Sequence, residues 1–161
     1  MGMYTGLRAK VLVSEEYSKA IEELHENDHD VFGWRNISSS FPNLKEWKEY
    51  SRYRFIPFAS PYYLPDDWTL IGKKNSYYDK ESRIWEFSCS LKNYEEEIDF
   101  FVKKILLLVV DRVFYCQSLY EEDSEPIDLM EIYGSKFTKQ VFISSSSNNT
   151  LWVRRENEEG R

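Results

Sequence analysis

Between Arg83 and Tyr120 the period of the apolar residues changes twice, and this constrains the fold more than any other feature of the sequence. Trp85, Phe87, Cys89 and Leu91 alternate with Ile84, Glu86, Ser88 and Ser90, the two-residue period of a strand with two unlike faces. Ile98, Phe101, Val102, Ile105, Leu106 and Val109 then follow helical spacing over a wide apolar face, which predicts a central core helix. Asn93 is placed to cap it, with Glu95, Glu96 and Glu97 at the positive end of its dipole. A second strand is predicted from Val113 to Tyr120. A strand, a crossing helix and another strand form one half of a split βαβ arrangement.

The rest of the chain is read in the same way. Leu7, Ala9, Val11 and Val13 mark a half-buried first strand. Tyr17, Ala20, Ile21 and Leu24 mark a helix that Ser14 caps and that ends near His25. A second helix is expected after Ser40, with Pro42 in its first turn and Phe41, Leu44, Trp47 and Tyr50 along one stripe. Residues 54–59 look extended, with Pro57 marking an edge. Further strands are expected at 69–72, 127–132, 137–143 and 151–155. KKNSYYDKES joins the strand at 69–72 to the one at 83–91, and SSSSNNT forms a polar turn before 151–155. The sum is an α+β fold, a largely antiparallel sheet packed against about three helices in one domain over 1–155, with a flexible tail at 156–161.

Composition excludes several functions. Of 161 residues, 28 are acidic and 21 basic, giving a net charge of −7, the opposite of a nonspecific nucleic-acid binder. The longest apolar run, Ile105 to Val110, is far shorter than the ~20 residues of a membrane span, and the N-terminus lacks the apolar stretch of a secretion signal. Cys89 and Cys116 are too few for a disulfide framework and read as small core residues. A cytoplasmic protein without membrane partners is expected.

Charge is uneven. Residues 14–30 hold 7 acids against 1 base, and 94–131 hold 11 against 3, whereas 31–93 hold 10 bases against 7 acids. Such asymmetry suits electrostatic steering of a partner.

Three constellations carry chemistry. His25-Glu26-Asn27-Asp28-His29 has the spacing of the H-E-x-x-H zinc-peptidase motif, with Glu46 or Glu49 as a third ligand. Its surroundings are acidic, and it falls where the apolar stripe has stopped, so a solvated helix end is the expected role and no metal or other cofactor is assigned. Lys45, Lys48, Arg52 and Arg54 interleave with Trp47, Tyr50 and Tyr53, a combination suited to a nucleotide-like phosphorylated ligand. At helical spacing Lys45, Lys48 and Arg52 share one face. Finally, the Pro-rich loop holding Tyr62, Tyr63, Asp66, Asp67 and Trp68, with Tyr77 and Tyr78 in the next turn, has the rigid aromatics and flanking carboxylates of an interface hot spot. Nucleophilic catalysis has no G-x-S-x-G elbow to rest on, and either cysteine would need His25 or His29 beside it. No catalytic residue is assigned.

These features predict a non-enzymatic, acidic protein that binds a protein partner, a basic nucleic-acid-binding enzyme being the kind its carboxylates would suit. Small acidic α+β proteins of this class are a common form of inhibitor, as in bacterial immunity proteins and phage antagonists of host defence. Sequestration of a nucleotide-like molecule is the alternative, and a zinc-dependent hydrolase the third reading. Oligomeric state is left open.

Overall fold

The first strand, β1 (Thr5–Val13), buries Leu7, Ala9, Val11 and Val13 on one face, as its alternation requires. In the computed structural model, which describes residues 3–26, 33–38, 40–70, 75–144 and 147–155, β1 is the centre of the sheet. It pairs antiparallel with β3 (Ile84–Leu91) on one side and with β4 (Val110–Tyr120) on the other. β3 and β4 are therefore parallel to each other with β1 between them. The chain joins them through α3, which comprises an α turn Glu97–Phe100, a π segment Phe101–Leu106 and a last turn Leu107–Val109. This is the split βαβ unit that the changes of period imply.

Register aligns the core. Leu7, Ala9 and Val11 oppose Cys89, Phe87 and Trp85 on one side, and Ala9 and Val11 oppose Cys116 and Val113 on the other. All six predicted apolar residues of α3 are buried against this face. Phe101 sits at the hub of an aromatic cluster, with Trp34, Trp47, Trp85 and Phe87 rings between 5.3 and 6.5 Å away. Among the described residues seven strands follow the order β2-β3-β1-β4-β7-β6, with β5 also on β4, and every pairing there is antiparallel. The outer members are β2 (Ser76–Asp79), β5 (Ile127–Asp128), β6 (Phe137–Ser144) and β7 (Ser147–Arg154). The fold is α+β in a single domain, with α1 (Ser18–Leu24), α2 (Leu44–Trp47) and α4 (Leu129–Tyr133) as the other α-helices among the described residues.

Several local expectations are corrected. Residues 54–59 do not form an edge strand. A 3-10 turn at Tyr53–Phe55 and the bond from Ala59 N–H to the Phe55 carbonyl satisfy the backbone locally, and the buried Trp34 Nε1 takes the Ile56 carbonyl at 2.7 Å. Thr69 and Leu70 are not in a strand, and 71 and 72 lie outside the described residues. The strand that pairs with β3 is instead Ser76–Asp79, within what reads as a connecting turn. The turn starts at Asp79, whose carboxylate accepts from Glu81 N–H and the Ser82 hydroxyl. The strand expected at 127–132 lasts two residues before α4 begins. Ser14 does not cap α1 with its side chain; its hydroxyl donates to Asp111 Oδ1 at 2.7 Å. Much of the expected turn SSSSNNT belongs to β7, with 145 and 146 outside the described residues. The tail at 156–161 is also outside them.

Candidate functional site

The loop between Ser60 and Trp68 crosses the sheet face opposite α3 and is anchored at three points. Ser90 Oγ donates to the Ser60 carbonyl at 2.8 Å. Leu64 packs where Gly6 has no side chain, and a Cβ at Gly6 would collide with the leucine methyl groups. Trp68, only 3% exposed, lies beneath the Arg8 guanidinium at 4.6 Å. Arg8 is held in turn by Gln117 Oε1 at 2.8 Å and by the ring of Tyr115. Trp68 is therefore a clamp holding the loop on the sheet, not an exposed anchor: its apolar area is already spent on this chain.

Anchoring both ends of the loop presents its middle. Tyr62 and Tyr63 are 60% and 71% exposed, and their rings gather around Tyr4 with centroids 5.2 to 6.4 Å apart. Tyr63 has φ 63, a left-handed conformation uncommon for a bulky residue. Asp66 and Asp67 are exposed beside them in sequence.

Register adds residues that the sequence does not group with this loop. Thr5 opposes both Leu91 and Tyr120, so the ends of β3 and β4 lie beside Tyr4. Tyr4 N–H donates to Glu121 Oε1 at 2.5 Å, and Glu121 N–H donates to the Tyr4 carbonyl at 3.0 Å. These bonds hold the turn carrying Glu121, Glu122, Asp123 and Glu125 against the tyrosine cluster. The Tyr120 hydroxyl is raised above the ordinary tyrosine range by desolvation and then by Glu122, Glu121 and Asp123. The acidic turn and the tyrosine cluster thus share one end of the sheet, joined at Tyr4 and Glu121. Tyr4 leaves no local signal in the sequence; only the pairing of β1 with both neighbours brings it beside the Glu121 turn.

Tyr77 and Tyr78 divide between faces, as adjacent strand residues must. Tyr77 is exposed opposite Glu86, whereas Tyr78 turns to the core face, with its hydroxyl 2.5 Å from Ser18 Oγ. Tyr78 is thereby withdrawn from the expected interface.

The expected metal and phosphate sites do not assemble as their spacings suggest. His25 Nδ1 lies 2.7 Å from the Ile21 carbonyl and Nε2 lies 2.5 Å from Ser76 Oγ, with Phe58, Tyr78 and Trp85 rings packed around it. Trp85 Nε1–H donates to the same Ser76 hydroxyl. Both imidazole nitrogens face structural partners, so His25 is a packing residue. Glu26 follows it, exposed, beyond the end of α1, and His29 lies outside the described residues. Among the described residues no group of three or more His, Cys, Asp or Glu side chains is arranged to hold a metal ion. Cys89 and Cys116 are fully buried, and burial pushes both thiols up, away from nucleophilic thiolate.

The basic row fails for a different reason. α2 is one turn long, so Lys45, Lys48 and Arg52 share no continuous helical face. Arg52 lies over the Tyr94 ring at 4.7 Å and 3.9 Å from Glu97 Oε2, while Arg54 falls in the 3-10 turn. Glu46 and Glu49 instead join Glu95 around a shallow hollow of about 370 Å³ lined by Tyr50 and Phe100. The Tyr50 hydroxyl is raised by burial first and then by Glu97, Glu95 and Glu96. A phosphate here would meet carboxylates.

No protein-family model, curated protein or solved structure matches this chain. Among the described residues no helix is long and apolar enough to cross a membrane.

Proposed function

We propose that this chain is a non-enzymatic cytoplasmic binding protein whose acid–aromatic end docks on a basic protein, in the manner of an inhibitor or an immunity or anti-defence antagonist. The observation that carries the proposal is Tyr63, 71% exposed and held at φ 63 by a loop clamped on both sides. A strained aromatic that leaves most of its surface in solvent costs stability and returns little burial, which is the mark of a binding device. Tyr62 and Tyr4 extend the apolar contact, and Glu122, Asp123, Glu125, Asp66 and Asp67 supply the charge. Carboxylates in such a rim suit a partner whose own surface is built to hold phosphates.

The test is affinity capture at low salt from cells containing the natural partner. It compares the parent with a Tyr62→Ala/Tyr63→Ala variant and a Glu122→Lys/Asp123→Lys variant, each checked for native circular dichroism. The expected result is one basic protein, captured stoichiometrically by the parent and lost in both variants. A partner retained by both variants places the interface elsewhere and overturns the proposal.

A further inference from the structure

The β6–β7 hairpin is a ribbon that leaves the body of the protein. β7 is in register with β4 only at Val153 opposite Arg112 and Trp152 opposite Val113, with the Arg154 guanidinium donating to the Val110 carbonyl at the base of the ribbon, yet β6 and β7 stay paired with each other from Phe137–Arg154 to Ser144–Ser147. Residues 138–143 of β6 are all exposed, on both faces of the strand. Among them Val141, Phe142 and Ile143 are 60%, 49% and 80% exposed. β6 also ends the strand order, so its outer edge has no strand beside it among the described residues. An apolar edge strand of this kind is ordinarily blunted by charge, and a lone two-stranded ribbon is marginally stable.

Charge and register together point to the occupant. In a chain carrying 49 charged residues and a net charge of −7, residues 140–153 contain none. The one charge earlier in the strand, Lys139, is paired with Glu131 at 2.8 Å. Two copies of this protein repel each other at their acidic ends but meet no like charge at the ribbon. The strand is also self-complementary. Antiparallel pairing about a two-fold axis at Phe142 sets Val141 opposite Ile143 of the second copy, Phe142 opposite itself and Gln140 opposite Ser144. Opposed residues share a face, so four aliphatic side chains gather on one side and two phenylalanines on the other.

We propose that β6 is a homodimerisation strand, pairing edge to edge with β6 of a second copy around Phe142. The proposal is independent of the acid–aromatic end and leaves that end free for another partner.

Sedimentation equilibrium of the full chain tests it. The parent is expected to dimerise. Phe142→Lys and Phe142→Glu, each placing like charges across the axis, are expected to raise the dissociation constant by about tenfold or more. An equimolar mixture of the two variants is expected to recover the dimer, because Lys then faces Glu. Phe142→Cys is expected to cross-link under mild oxidation, since Cys89 and Cys116 are buried. A parent that is monomeric at every concentration overturns the proposal. So does a dimer that persists in both charge variants, or one that Phe142→Cys does not cross-link.

Discussion

Glu97 shows how a single residue can reverse the meaning of a sequence pattern. Read along the chain it is the third of three glutamates at a helix start, where solvent and the dipole would hold it. In the fold it is fully buried: Oε1 accepts from Glu95 N–H at 2.6 Å, while Oε2 has no hydrogen-bond partner. The Arg52 guanidinium, 3.9 Å away, therefore balances a carboxylate withdrawn from water. This assigns Arg52 a structural role. Arg52→Ala should destabilise the fold by about 1–3 kcal/mol, below the usual cost of breaking a buried pair because Arg52 is itself a quarter exposed. Adding Glu97→Gln should recover part of the loss, since the variant no longer buries an uncompensated charge. Urea unfolding of the two single variants and the double variant checks this; a stability unchanged by Arg52→Ala would return Arg52 to the list of ligand contacts.

The legibility of the sequence divides most clearly at the level of elements. β1, β3 and α3 were readable because each repeats one period over eight or more residues against a single core. α4 was not, since the six residues Ile127-Asp128-Leu129-Met130-Glu131-Ile132 are too few to separate a helical period from that of a strand. The deciding signal is Asp128, which accepts from Met130 N–H at 3.0 Å as an N-cap, with Glu131 three residues on. β2 was hidden by the turn-forming residues around it, and the tyrosine cluster by its dependence on pairing between distant segments. Of the residues expected at an interface, Tyr62 and Tyr63 are exposed, whereas Trp68 and Tyr78 are drawn into packing. The end of α4 carries a further consequence. Gly134 N–H bonds the Met130 carbonyl at 2.9 Å and its own carbonyl receives Phe137 N–H at 2.9 Å, so this residue aims β6. A Cβ there would lie 2.5 Å from the Met130 carbonyl oxygen, a backbone atom that cannot step aside. Gly134→Ala should therefore destabilise the protein by about 1–3 kcal/mol, measured as a lower urea midpoint. A midpoint equal to that of the parent would show that the turn yields.

For the whole molecule, the net charge of −7 understates the field that a partner meets. Several arginines are turned inward as structural cations. Arg83 bonds the Val13 carbonyl, Arg8 bonds Gln117 and covers Trp68, and Arg52 faces Glu97. Meanwhile Asp66, Asp67, Glu95, Glu122, Asp123 and Glu125 remain exposed. The basic excess of residues 31–93 therefore does not become a separate basic face at Arg52, and the acidic excess of 94–131 is divided: Glu97 is buried, Glu95 lines the hollow beside Tyr50, and Glu122, Asp123 and Glu125 stay exposed in the turn that Glu121 holds against Tyr4. Such a field acts on encounter more than on the bound state, because exposed charges are screened over about 10 Å at 0.1 M salt while buried aromatic contacts are not. For the partner captured through the acid–aromatic end, the association rate should fall about tenfold or more between 20 mM and 500 mM salt, with dissociation nearly constant. Glu122→Lys/Asp123→Lys should flatten the salt dependence of association. Tyr63→Ala should leave that slope intact and accelerate dissociation. Stopped-flow association and surface-plasmon dissociation separate the two effects, and an association rate indifferent to salt would remove steering from the proposed function, leaving only the aromatic contact.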